Sequence, residues 1–268
     1  MNAQVQQLLD ADKLDEAILA MNSEVRGHST DIDRRARLAE LLCVAGNLDR
    51  ADLILDAISD LDPGASVGVS LFRQLVRAEQ ARQQYHAQGS PPAFLTTPDP
   101  ISELEMRAAV LLRAGDAAGA ASLIEQRDAA RTPLAGVADG APFDDFRDLD
   151  DLSAGHLEIL TSTGKYYWVP VSSVISIEFR APERRRDLFW RRVYLSVADG
   201  PDGEVYMPCI YQAADSTPAQ RLGHVTEFAG EEGAPIKALG LRSFLVGEDC
   251  RSVLEVNKVS FTAHAGRA

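Results

Sequence analysis

Tyr166-Tyr167-Trp168 is the densest group of side chains in this 268-residue sequence able to bind a partner. Preceded by Ser162-Thr163-Gly164 and followed by Val169-Pro170, it reads as a strand leaving a tight turn. Residues alternate across a strand, so at most alternate rings share a face. Either Tyr166 and Trp168 are core and Tyr167 is exposed, or the reverse. A second group is basic: Arg180, Arg184, Arg185, Arg186, Arg191 and Arg192 surround Asp187-Leu188-Phe189-Trp190. It could grip an acidic partner segment, or RNA with Trp190 stacking on a base. The alternative is an internal counterpart to the Asp-rich stretch upstream, plus ordinary solvated arginines.

Catalytic constellations are not legible. His28, His86, His156, His224 and His264 are scattered, without His-Glu-x-x-His or Cys-x-x-Cys spacing, so no local metal site is expected. Ser162-Thr163-Gly164-Lys165 ends like a phosphate loop, yet Ile159 stands where the first glycine belongs and Tyr166 replaces Ser or Thr. Gly68-Val69-Ser70-Leu71-Phe72 lacks the second glycine of a nucleophile elbow. Asp199-Gly200-Pro201-Asp202-Gly203 is too short for a calcium loop and reads as a hairpin turn. No nucleophile–base pair, cofactor or metal is expected.

The composition is that of a soluble globular protein: 46% hydrophobic and 25% charged residues support a sizeable core. A net charge of −13 argues against nucleic acid or an anionic membrane as main partner. No apolar run reaches the roughly 20 residues of a membrane span, and no secretory signal is visible. Three distant cysteines, Cys43, Cys209 and Cys250, fit a reducing compartment. A cytoplasmic location is expected.

The elements that must position these groups fall into two halves. Leu38, Leu41, Leu42 and Ala45 mark one face of a helix, with Thr30 as cap, Asp31 and Asp33 in the first turn and Gly46 closing it. Asn47 then caps a helix carrying Leu48, Ala51, Leu55 and Ile58, which Asp62-Pro63-Gly64 ends. The unit recurs: Leu8 to Ala17, Leu42 to Ala51 and Leu111 to Ala120 align. Their positions 12, 46 and 115 are spaced by 34 and then 69 residues. About 34 residues is the tetratricopeptide period, with Ala17, Ala51 and Ala120 where paired helices approach closely. Val67 to Gln88 reads as a single helix, so that repeat is degenerate. Ser102 and Glu105 form a capping-box pattern. The Pro-rich segment between Ser90 and Pro100 is a loop, expected to cross the array through Phe94 and Leu95.

Strands dominate the second half: Leu157–Leu160 with Tyr166–Val169, Val174–Phe179, Val193–Val197 with Glu204–Cys209, Phe244–Val246 with Val253–Val256, and Val259–Phe261. The expected class is α+β: a tetratricopeptide-like helical-hairpin array over 1–135, an acidic linker over 136–152, an antiparallel β-rich domain over 153–262, curled or partly closed, and a disordered tail over 263–268.

In order along the chain, Leu41-Leu42-Cys43-Val44-Ala45-Gly46, Leu48-Asp49-Arg50-Ala51, Gly164-Lys165-Tyr166-Tyr167-Trp168-Val169-Pro170 and Arg186-Asp187-Leu188-Phe189-Trp190 resemble the ImpE/TagJ family, accessory proteins of bacterial type VI secretion systems. Pro208 with Tyr211, Arg221-Leu222-Gly223, Thr226-Glu227 and Leu254-Glu255-Val256 extend the resemblance over nearly the whole length. Phe228 departs from it where Trp would follow Thr-Glu, as does Leu241-Arg242 where a more polar pair including Gln would stand. The resemblance implies a helical N-terminal domain joined to a β-rich one, and no enzymatic activity. It also implies an adaptor that binds the N-terminal helix of the small sheath subunit and links it to the ClpV-type AAA+ disassembly ATPase. Helix-pair arrays offer a groove that takes an amphipathic helix by its apolar face. Aromatic residues and arginine are favoured interface anchors, and the candidate partner-contacting residues are Tyr166, Tyr167, Trp168, Arg186, Asp187, Trp190 and Tyr211. The alternative is an enzyme or small-ligand-binding protein with its site in the β domain.

Overall fold

The structure, a computed structural model, describes residues 2–264. Seven helices come first: α1 (Ala3–Asp10), α2 (Leu14–Gly27), α3 (Ile32–Val44), α4 (Leu48–Leu61), α5 (Ser66–Gln88), α6 (Pro100–Arg113) and α7 (Ala117–Ala130). The three aligned repeat positions are the helix-to-helix turns. Asp12, Gly46 and Gly115 all adopt left-handed backbone, with φ of 58°, 79° and 84°, the conformation that reverses a chain between antiparallel helices. Ala17, Ala51 and Ala120 are fully buried. The degenerate repeat is α5, one helix of 23 residues.

Two local expectations change. Asp31, not Thr30, caps α3, its carboxylate accepting the Arg34 N–H. Asp99 caps α6 by accepting the Ser102 N–H, because Pro100 at the first helical position fixes the start earlier. Glu105 is thereby free for another role.

The strands are β1 (Gly136–Ala138), β2 (Ala141–Phe143), β3 (Phe146–Asp148), β4 (His156–Leu160), β5 (Tyr166–Pro170), β6 (Val174–Phe179), β7 (Trp190–Val197) and β8 (Gly203–Pro208). A short helix α8 (Pro218–Leu222) precedes β9 (Thr226–Ala229), β10 (Lys237–Gly240), β11 (Ser243–Val246), β12 (Asp249–Ser252) and β13 (Lys258–Phe261). Eight strands form one antiparallel sheet ordered β2-β1-β13-β6-β7-β8-β4-β5. Its two end strands are β2 and β5, so it is not closed. β12-β11-β3 and β10-β9 make two smaller sheets.

Residues 136–152 are not a linker. They supply β1, β2 and β3, and most of their aspartates are engaged internally. Asp139 accepts the N–H groups of Asn257 and Lys258, and Asp145 pairs with Arg131. Asp148 and Asp150 are buried. An acidic run therefore reads as solvated only until backbone donors and guanidinium groups from distant segments meet it. The hairpin partner of β11 is β12, four residues earlier than expected, because Gly247-Glu248 alone makes the turn. Val253 and Val256 are buried in the turn that follows. The loop before α6 does not cross the array. Ala93 bonds the outer edge of β5 in parallel, and Phe94 packs on Trp168. Of the expected tail, residues 263 and 264 belong to a 3-10 turn, Thr262–His264, and the rest lies outside the described residues.

One core runs through both halves. Helical residues from Val5 to Ala109 share it with Leu160, Tyr166, Trp168, Trp190 and Tyr206 of the sheet. The opposite side of the sheet belongs to a second core around Phe146, Ile177, Val193 and Phe244.

Candidate functional site

The inward face of α5 explains where the aromatic triplet goes. Phe72, Leu75, Val76, Glu79 and Arg82 recur at helical spacing and are all buried. Phe72 meets Trp190 edge-on at 6.0 Å, and Tyr85 meets Trp168 at 4.9 Å. Two charged residues on such a face must find partners, since an unpaired buried charge is expensive.

Glu158 of β4 is the hub. Its carboxylate accepts Arg82 Nε at 3.0 Å and Nη2 at 2.9 Å, the Tyr166 hydroxyl at 2.5 Å, and Nη2 of Arg242. His86 Nε2 lies 2.9 Å away. Arg82 also donates to Glu79, and Arg242 donates to Asp148 at 2.5 Å. The indole of Trp190 donates to Glu79 at 3.0 Å, and that of Trp168 to the Tyr166 oxygen at 2.6 Å. The Tyr211 hydroxyl donates to Asp148 at 2.7 Å and accepts the Ser243 N–H. The two guanidinium groups beside Glu158 overcome its burial and hold its carboxyl well below the ordinary range. Burial pushes Glu79 and Asp148 up, against their arginines. A second knot ties α6 and α7 to β4: Glu105 accepts Arg127 and the Gly155 N–H, each at 2.7 Å, and sits 2.6 Å from His156 Nδ1. The His156 ring stacks on Trp168 with centroids 3.4 Å apart.

The candidate partner residues are thus mostly structural. Tyr166, Trp168, Trp190 and Tyr211 are buried, so none presents a ring to a partner. The face shared by Tyr166 and Trp168 is packed against α5, and Trp168, Glu158 and Tyr211 also reach the wall of a cleft. Tyr167 is half-buried against the second core. Arg186 lies over the Phe72 ring at 5.1 Å, and Asp187 caps the preceding turn through the N–H groups of Glu183 and Arg184. The arginine cluster is dispersed: Arg191 donates to the carbonyls of Val253 and Val256, Arg185 reaches Gln6, and Arg192 lies near Glu183 and Glu204. Among the described residues no salt bridge joins it to the Asp-rich stretch, although Arg191 feels the charge of Asp139. The hub residues Glu79, Arg82, Glu105, Glu158 and Arg242 were missed. The available signal was charge at core-periodic positions of α5; nothing local marked Glu158 or Arg242.

Beside this network a cleft of about 700 Å³ opens between the helical and strand layers. Its walls come from the α3–α4 turn (Val44, Gly46), the end of α5 (Tyr85, His86), α6 (Leu112, Arg113), the 150–153 turn, the 210–216 segment and β10 (Lys237, Leu239). His86 keeps 30% of its side-chain surface and is the hub's outlet into the cleft. Burial pushes its imidazole below the ordinary range, against the pull of the Glu158 carboxylate. Asp150 also lines the cleft; burial, then the charge of Asp148, push it up to about 7. Arg221 closes the far end by donating to the Ala45 carbonyl. The buried thiols of Cys43 and Cys209 and the hydroxyls of Tyr166 and Tyr211 are all pushed up by burial and stay protonated. Among the described residues, no group of three or more His, Cys, Asp or Glu could hold a metal ion. No described helix is long and apolar enough to cross a membrane. The cleft combines apolar walls with a charged rim.

Comparison with known proteins gives the same picture at larger scale. Residues 140–260 match the sequence profile of the family described as ImpE protein. The chain is 28% identical over 258 residues to the type VI secretion system accessory component TagJ of Pseudomonas aeruginosa, covering 96% of this chain and 90% of that protein. The crystal structure of VPA1032 from Vibrio parahaemolyticus superposes with a TM-score of 0.90 at 27% identity, over 97% of each chain. The similarity to the ImpE/TagJ family therefore rests on the family profile through the strand half and on TagJ of Pseudomonas aeruginosa for the rest.

Proposed function

We propose that this protein is a non-catalytic accessory component of a type VI secretion system. In this reading it acts as an adaptor that holds the N-terminal helix of the small sheath subunit and links it to the ClpV-type AAA+ ATPase in the cytoplasm. The similarity to TagJ supports the secretion setting. The observation that carries the adaptor reading is the cleft.

A helix array ordinarily offers its own groove, but here the chain fills that face itself. Gln6 of α1, Ala45 after α3, and Phe72, Arg82 and Tyr85 of α5 all meet strand-half residues. What stays open is the junction, with Val44, Leu112, Ile210 and Leu239 as apolar walls and Arg113, Asp215 and Lys237 at the rim. That pattern suits an amphipathic helix presenting one apolar row. The test is co-purification with the small sheath subunit, with and without its N-terminal helix, alongside the cleft-filling variant Ala213→Trp. Binding lost on helix deletion and on A213W supports the reading. Binding that survives both overturns the placement, and no binding at all overturns the adaptor role.

A further inference from the structure

We infer that the β9–β10 hairpin is a second docking surface, which takes an extended, basic polypeptide segment as an added strand. β9 pairs only with β10. β10 is anchored on its other side: Asp150 accepts the Ala238 N–H, Asp151 accepts the Ile236 N–H, and Tyr211 donates its N–H to Gly240. The hairpin is therefore held in place along β10 while the outer backbone edge of β9 has no strand partner among the described residues. An exposed edge offers a row of unpaired N–H and C=O groups, and native proteins usually blunt such edges.

This edge carries the opposite of a blunting device. Phe228 is opposite Ala238 in the register, and Ile236, two residues from Ala238, shares its face. Phe228 is 53% exposed and Ile236 48%, whereas Ala238 between them is buried. The hairpin thus presents an apolar pair beside a free edge, on the face away from the cleft that Lys237 and Leu239 line. Glu231 and Glu232, both exposed at the hairpin tip, take no salt bridge among the described residues, whereas Glu227 lies on the opposite face across from Leu239 and accepts the Gln220 amide. Main-chain bonding to a strand edge supplies affinity, alternate side chains supply specificity, and the two tip glutamates beside an apolar pair select lysine or arginine flanking apolar residues. This surface is separate from the cleft, so an adaptor built on it holds two partners at once.

The test uses the full chain and a synthetic peptide of alternating lysine and valine, titrated at physiological salt, with a control of the same composition broken by prolines. The expected result is dissociation in the roughly micromolar range, slowed amide exchange at 226–229, and about tenfold weaker binding for Phe228→Ser and for the pair E231Q/E232Q. Phe228 is exposed, so F228S is expected to fold, and circular dichroism checks this. Equal binding of the proline-broken control, indifference to F228S, or no binding overturns the inference. The cleft variant A213W is expected to leave peptide binding unchanged, which separates the two surfaces.

Discussion

Replacing Glu158 by Gln tests the organisation of the α–β junction most directly. The carboxylate lies between two buried guanidinium groups, with Tyr166 and His86 completing its shell. Glutamine keeps the shape but removes the charge, and its amide adds donors where four donating groups already converge. Arg82 retains Glu79 and Arg242 retains Asp148, so neither cation is wholly orphaned. Removing one partner of a buried pair costs about 3–5 kcal/mol, and the retained partners place E158Q near the lower end, about 3 kcal/mol. At roughly 2–4 °C per kcal/mol for a chain of this size, the melting temperature falls by about 6–12 °C. The sign of the pH dependence is a second readout. The folded Glu158 carboxyl titrates below its ordinary value of 4.5. Its stabilisation is complete above the unfolded value and is lost as pH falls from about there through the folded one. The deficit of E158Q against the parent is therefore full at pH 7 and shrinks below about pH 4.5. Urea unfolding at pH 7 and in the acid range measures both. A loss under about 1 kcal/mol at pH 7, or an equal deficit at both pH values, would refute a charge-based hub.

Two other perturbations probe separate links. Asp150 is pushed up to about 7 from an ordinary 3.8, so the folded state binds the extra proton between those values and stability declines as pH rises through that window; Asp150→Asn removes this decline, seen as a flatter melting-temperature profile from pH 4 to 8. Gly46→Ala meets only Gln83, at 3.6 Å, and pays left-handed strain of about 1 kcal/mol, whereas Gly240→Ala places a Cβ 2.0 Å from the Val225 carbonyl oxygen and loses more, measured by thermal melts.

Local signals in the sequence were sufficient for much of the fold. The 34-residue recurrence located the three helix-to-helix turns because left-handed backbone must recur wherever the hairpin does, and Asp12, Gly46 and Gly115 are the residues that adopt it. Period-two alternation placed β6 at Val174–Phe179, where Ile177 and Phe179 share a buried face, while a bulge between Val174 and Ser176 breaks the period and puts Val174 in the core. The motif order also carried the family resemblance. Tertiary structure decided the rest. Residues 136–152 looked like a solvated linker because an aspartate carries no local record of the donor that will meet it. Asp139 finds its partners at 257 and 258, Asp148 at 242, and Asp150 at 238. Arg82 and Glu158 are 76 positions apart, beyond any helical or strand period, so only folding reveals that one neutralises the other. The same contacts turned Tyr166, Trp168 and Trp190 from interface candidates into core, by laying the sheet on α5 and leaving the cleft beside it as the open surface.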